Sequence, residues 1–253
     1  NMAQYKNYVI AQTLDEAYEL NAKKSTVIVA GNMWLRMCGM RRQTALDLSA
    51  LGLDFIKEDE QGFTIGAMTT LRIMETHPAL NAAFGGVFAR ALEPIVGTQF
   101  RNSATVGGSV FSRFGFSDVS TLLLAMGAKV VTHARGEVPL DEFQKEKWDR
   151  DILTAIRIEK GRSAAIESVR LSKTDIPVLV CAASADERGV RVALGSRPSR
   201  AVIVAENARP EELDYMRMAA DVPMGSNARA SEAYRRKVAP VLMERAVQAC
   251  LKR

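Results

Sequence analysis

The chain changes its periodicity part-way along, and this change restricts the fold more than any other feature. Thr13 followed by Glu16 forms a capping box, which predicts a helix over residues 14–23. Residues 26–30 then read as a buried strand that ends at Gly31-Asn32 and passes into a short helix through Met37. A second short strand follows at residues 45–48, so the opening is expected to be a small α/β unit with a parallel sheet. The last third is different. Four strand-like runs follow one another at residues 152–158, 164–171, 178–185 and 190–194, punctuated by Gly189 and Gly195. Neither a helical bundle nor a uniform βα ladder accommodates both patterns, and the expected class is α+β.

The middle carries its own signals. Residues 55–57 and 63–65 flank a Gly-containing turn and predict a hairpin. Thr69 or Thr70 can cap a short helix, and Pro78 suits the first turn of a longer one running towards Glu93. Asp118 is placed to cap an apolar helix from Val119 to Met126, followed by a strand at residues 128–131. Two helices close the chain. The second is capped by Ser231 and interrupted by Pro240, which is expected to kink it. Three parts are expected, spanning residues 1–53, 54–150 and 151–253.

Composition narrows the chemistry. The 253 residues are 47% hydrophobic and 25% charged, so a core can form without a covalent staple. Cys38, Cys181 and Cys250 are odd in number and contain no CxxC pair, which argues against a disulfide framework, a zinc ribbon or a cysteine-held iron–sulfur cluster. All three are expected to be buried thiols. His77 and His133 are too few for a His-rich metal site, and no metal ligand set is expected. The longest apolar runs are far short of a membrane span. The first residues lack the charged-then-apolar pattern of a secretion signal, and the expected location is cytoplasmic. A net charge of +5 raises nucleic acid as a partner. The basic residues are scattered, however, and the densest group, Arg235-Arg236-Lys237, has acidic neighbours. It reads instead as a solvated surface or a docking face for an acidic subunit.

Two segments carry candidate binding chemistry. In Ile28-Val29-Ala30-Gly31-Asn32-Met33-Trp34-Leu35 a strand ends at glycine and turns into a helix start. Such a turn exposes unpaired backbone N–H groups suited to a pyrophosphate, although the same turn is common without any ligand. In Thr105-Val106-Gly107-Gly108-Ser109, followed by Ser112 and Asp118, the paired glycines admit a close backbone approach. The hydroxyls can donate to phosphate oxygens, and Asp118 can accept from ribose. The alternative is a plain Gly-Gly turn with Asp118 acting only as a cap. This is neither a GxGxxG fingerprint nor a Walker A loop.

Gln99-Phe100-Arg101-Asn102-Ser103-Ala104-Thr105-Val106-Gly107-Gly108-Ser109, with Asp118 nine residues after Ser109, resembles the second flavin motif of the FAD-binding subunits of molybdenum hydroxylases. Residues 28–35 are similar to that family's first flavin loop, residues 65–71 to the strand and turn that follow it, and residues 230–236 to its Ser-x-x-Tyr-Arg-Arg helix. The resemblance implies a two-subdomain FAD-binding fold of the vanillyl-alcohol-oxidase/PCMH type plus a C-terminal α/β subdomain with a small antiparallel sheet. It implies FAD as cofactor, and as partners a [2Fe–2S] subunit and a molybdopterin-binding subunit. Electrons would pass from the clusters through FAD to NAD or another acceptor, as in xanthine dehydrogenase.

On that resemblance, residues 28–35 wrap the pyrophosphate, Thr105, Gly107, Gly108 and Ser109 form the second wall, and Ser112 and Asp118 meet the dinucleotide's polar chain. Ile95 falls where an apolar residue meets the isoalloxazine ring, and Arg170 is the nearest match to a basic residue near it. Met33 and Trp34 depart from the family's usual Thr and acid, Ser109 replaces Asn, and Phe114 and Phe116 replace small residues. No side-chain acid, base or nucleophile is required of such a subunit. Two other readings stay open: a flavin-poor structural subunit of such a complex, and a stand-alone flavin oxidase of the related fold.

Overall fold

A computed structural model of the protein describes residues 2–147 and 149–252. The chain runs β1 (Gln4–Ile10), α1 (Leu14–Ala22), β2 (Thr26–Val29), a 3-10 turn (Leu35–Met37), β3 (Arg41–Asp47), a second 3-10 turn (Ser49–Leu51), β4 (Ile56–Glu58) and β5 (Gly62–Gly66). Six helices follow: α2 (Leu71–Thr76), α3 (Pro78–Ala83), α4 (Val87–Leu92), α5 (Thr98–Arg101), α6 (Val106–Phe111) and α7 (Asp118–Ala125). Then come β6 (Lys129–Thr132), β7 (Gly136–Pro139), α8 (Leu140–Lys145) and β8 (Leu153–Glu159). The chain ends with β9 (Ser163–Val169), β10 (Leu179–Asp186), β11 (Gly189–Gly195), β12 (Val202–Ala208), α9 (Tyr215–Asp221) and α10 (Glu232–Leu251). The α+β class holds.

Among the described residues the strands build three sheets. The first is parallel, in the order β1-β3-β2, as the opening pattern implied. The second is antiparallel, in the order β4-β5-β8-β6-β7, and contains the expected hairpin. The third is antiparallel, in the order β12-β11-β10-β9. One boundary needs correction. β8 lies beyond the expected break at residue 150, yet it pairs with β5 and β6 at the centre of the second sheet. The expected helix from Pro78 towards Glu93 is two helices, because Gly85 and Gly86 both take positive φ between them. Ser117, not Asp118, caps α7 by accepting from the Ser120 amide, which puts Asp118 in the first turn.

All eight residues of α7 are buried, the polar Asp118, Ser120 and Thr121 included. One of its neighbours is the third sheet, whose strand alternation sends Ala164, Ala182 and Ala193 into the same core as α7. These small side chains permit a close approach. Gly195 carries the same logic further, since a Cβ there would lie 2.2 Å from Thr121 Oγ1. The alternate residues Ala165, Leu179, Cys181, Ala183, Val192 and Leu194 pack on α9 and α10. The third sheet is therefore covered on both faces. A smaller core of Ala11, Ala17, Leu46, Leu48 and Ile152 seats α1 on the parallel sheet.

Ser231 caps α10 as expected, and Pro240 lies within that helix. The basic group on α10 is not a simple surface patch. Arg235 is fully buried, and its guanidinium donates to the carbonyls of Val178, Ser196, Gly225 and Ala230 and to Asn227 Oδ1. It thereby ties α10 to the loop after β11 and to the loops before β10 and α10. Among the cysteines, Cys181 and Cys250 are buried, but Cys38 is exposed. Replacing Arg235 by Met leaves several buried carbonyls without a donor and is expected to cost about 3 kcal/mol or more. Lys237→Met, at an exposed position, is expected to stay within about 0.5 kcal/mol. Urea unfolding of the two variants checks this, and equal midpoints would contradict the role given to Arg235.

Candidate functional site

The two candidate loops meet at one contact. Gly31 follows β2, and a Cβ at this position would lie 1.7 Å from the Ser103 carbonyl oxygen. Only glycine lets the first loop press onto the backbone that leads into the second motif. Asn32 then takes a left-handed conformation, with φ of 52°. The amides of Asn32, Met33 and Trp34 have no acceptor among the described residues.

The second motif is fixed from below. Gly107 donates its amide to the Ala67 carbonyl at 2.9 Å, Val106 to Thr69 at 3.0 Å, and Leu71 to Ala104 at 2.8 Å. A Cβ on Gly107 would sit 2.6 Å from the Ala67 oxygen, so this glycine serves packing between α6 and the turn after β5. Gly108 is different, because its Cβ direction meets only Thr105 Oγ1 within 4 Å. Thr105 caps α6 by accepting from the Gly108 amide and keeps its own proton to donate. The serine hydroxyls are engaged internally. Ser109 Oγ donates to the Thr105 carbonyl, while Ser112, Ser117 and Ser120 all turn their hydroxyls to the Ser109 carbonyl.

These elements enclose a cavity of about 610 Å³, within the ~300–1,000 Å³ range of small-molecule sites. Ile28, Ala30, Gly31, Asn32, Met33, Trp34, Leu35, Ile95, Thr105, Gly107, Gly108, Ser109, Ser112, Asp118 and Arg170 all line it. Val29 does not. It is buried and pairs with Asp47 in the parallel sheet. The sequence reading missed Asp149 and Arg150, which also line the cavity. Arg150 donates to the Thr26 and Lys24 carbonyls, and Asn21 donates to the Arg150 carbonyl. Nothing local in the sequence announces this clasp, which spans more than 120 residues.

Aromatic side chains cross one part of the cavity. Trp34 lies 5.8 Å from Phe100 and 5.4 Å from Phe116 between ring centroids. Phe114 and Phe116 stack at 5.1 Å. Asp118, also on the cavity wall, is buried and accepts from Arg170 Nη2 at 2.6 Å. Burial pushes the Asp118 carboxyl up to about 6 against the opposing pull of Arg170.

The residues present fit an FAD. Three unpaired amides stand ready for a phosphate, an open glycine face lies beside a hydroxyl donor, and Ile95, Leu71 and Val119 supply apolar wall. Among the described residues no group of His, Cys, Asp and Glu could hold a metal ion.

Residues 3–159 match the family model described as the FAD binding domain in molybdopterin dehydrogenase. The chain belongs to this family, and FAD is its cofactor. Structural relatives include carbon monoxide dehydrogenase from Hydrogenophaga pseudoflava, with a TM-score of 0.85, 20% identity, and 98% of each chain covered. Carbon monoxide dehydrogenase from Oligotropha carboxidovorans gives 0.85 and 20%, covering 99% of this chain and 98% of that one. Quinoline 2-oxidoreductase from Pseudomonas putida 86 gives 0.84 and 18%, covering 100% and 98%. No curated protein matches the sequence. At these identities the structural likeness concerns the fold, which agrees with the FAD-binding fold the resemblance implied.

Two tests follow from the geometry. Gly31→Ala forces the first loop off Ser103 and is expected to cost about 1–3 kcal/mol of stability and to weaken FAD binding. Thermal unfolding and FAD titration read both, and unchanged values would deny the contact its role. The second concerns pH. The Asp118 carboxyl has a folded-state pKa of about 6 against 3.8 when unperturbed, so the folded cofactor-free chain holds this proton more tightly than the unfolded one. The group therefore costs stability as pH rises from about 4 to about 6, and the cost is complete above 6. Relative to Asp118→Asn, the wild type should lose about 3 kcal/mol across that window. Denaturant curves at several pH values check this, and a flat difference would refute it.

Proposed function

We propose that this protein is the FAD-binding electron-transfer subunit of a heteromeric molybdenum hydroxylase. It takes electrons from iron–sulfur clusters on a [2Fe–2S] subunit, which a molybdopterin-binding subunit supplies, and delivers them to NAD or another acceptor. The complex resembles xanthine dehydrogenase in this division of labour, and a cytoplasmic location goes with it. No helix among the described residues is long and apolar enough to cross a membrane. The observation that carries the reading is the convergence of both flavin motifs on one cavity around the Gly31–Ser103 contact.

When bound, FAD supplies the redox chemistry, and the chain holds and orients it. The amides of Asn32, Met33 and Trp34 take the pyrophosphate oxygens, helped by the positive field of Arg150 and Arg42 at the cavity wall. Thr105 donates to the same polar chain. Ile95, Leu71 and Val119 exclude water from the ring side. Asp118, held by Arg170, accepts from ribose hydroxyls.

The test is purification with FAD present, followed by an absorbance spectrum and a pull-down from the native cell. A visible flavin absorption band together with co-purifying iron–sulfur and molybdenum subunits is expected. A flavin-loaded monomer that turns over substrate alone would replace this reading with a stand-alone oxidase. A colourless protein in the same complex would make it a structural subunit.

A further inference from the structure

A second cavity lies behind the first. It has a volume of about 310 Å³ and shares Phe114, Phe116, Ile176 and Pro177 with the larger cavity. The stacked Phe114–Phe116 pair is thus part of a wall between the two. The far side is made by the loop after β11 and the segment before α10. This region is tightly built. Ser196 donates its amide to the Gly115 carbonyl at 2.6 Å, and a Cβ on Gly115 would lie 1.9 Å from the Ser199 oxygen.

Six buried side-chain nitrogen or oxygen atoms lack a hydrogen-bond partner among the described residues. Three of them line this cavity: Arg113 Nη2, Arg229 Nε and Ser196 Oγ. Arg113 and Ser196 are themselves 4% and 5% exposed. Two of these three groups can only donate, and the serine hydroxyl can donate as well. No carboxylate is among the described lining residues, whereas Arg200 adds a third guanidinium. The other nitrogens of Arg113 are spent on the Phe143 and Phe111 carbonyls, and its guanidinium lies 3.9 Å over the Phe143 ring. Arg229 reaches Asp175 with Nη2 at 3.2 Å. Burial is the main cause of a lowered Arg113 pKa; Asp149 and Glu146 pull against it, and Arg200 adds to it. Unpaired buried donors around a void cost free energy until an acceptor meets them.

We propose that this cavity binds the anionic group of a small ligand, a phosphate or a carboxylate, held by Arg113, Arg229 and Ser196. With about half the volume of the FAD cavity, it suits a compact anion rather than a second dinucleotide. An ion-pair chain links it to the larger site. Asp118 pairs with Arg170, Arg170 donates to the Asp175 carbonyl at 2.7 Å, and the Asp175 carboxylate pairs with Arg229.

Calorimetric titration of the full-length protein with inorganic phosphate, and separately with succinate, at constant ionic strength tests the assignment. Saturable one-to-one binding of at least one anion is expected. Phosphate alone would mark a phosphoryl ligand, and succinate alone a carboxylate. Arg229→Gln and Ser196→Ala are each expected to weaken that binding about 10-fold or more. Ser196→Ala alters no charge and keeps the test valid if Arg229→Gln fails to fold. Absence of saturable binding by both anions overturns the proposal. So does binding that neither variant weakens, because phosphate held instead by the first-loop amides would ignore both.

Discussion

The burial of α7 is the constraint on which most of this structure depends. An eight-residue helix with every residue buried must be met on all sides, and the meeting surfaces differ. One comes from the second sheet and the helices packed with it, through their shared core. Another is the third sheet, whose Ala164, Ala182, Ala193 and Gly195 remove the bulk that would hold it away. The helix therefore fixes the second and third sheets relative to each other. Its N-terminal end carries Asp118, and the loop leading into it carries Arg113 to Ser117. The position of α7 thus sets the floor of one cavity and the partition of the other.

The first loop reaches this assembly through a backbone contact rather than through side chains. Gly31 against Ser103 permits no substitute without displacement, and the unpaired amides just beyond it are a consequence of the turn. This accounts for how Met33 and Trp34 can stand where relatives of the resembled family carry Thr and an acid. An amide needs no particular side chain to offer its proton. Trp34 also gains a packing role, since Phe100 and Phe116 receive its ring.

Much of this was legible in the sequence. The capping box at Thr13, the hairpin around Gly62 and the Gly107-Gly108 pair are local signals, and each maps onto an element the structure contains. The gathering of the named residues, other than Val29, around one cavity follows the resemblance, which implied that both motifs, with Ile95 and Arg170, face one dinucleotide. The failures share a different cause. Ser117 and Asp118 are both good caps, and only the helix start decides between them. Gly85-Gly86 reads as tolerable inside a helix until both take positive φ. β1 and β12 lack a clean apolar alternation, because each is an edge strand with much of its surface exposed.

Arg235 shows why charge alone misleads. Flanked by Arg236 and Lys237, it reads as part of a solvated or docking face, whereas its partners are carbonyls as distant in sequence as Val178. A buried guanidinium is tolerable because its donors meet fixed carbonyl oxygens in one geometry. The same reasoning separates it from Arg113. Arg235 has acceptors for each of its nitrogens. Arg113, equally hidden from solvent, keeps one nitrogen without an acceptor at the edge of a void. Two buried arginines in one chain thus mark opposite situations. One guanidinium is complete within the fold and binds its elements together, while the other is complete only when something from outside the chain meets it.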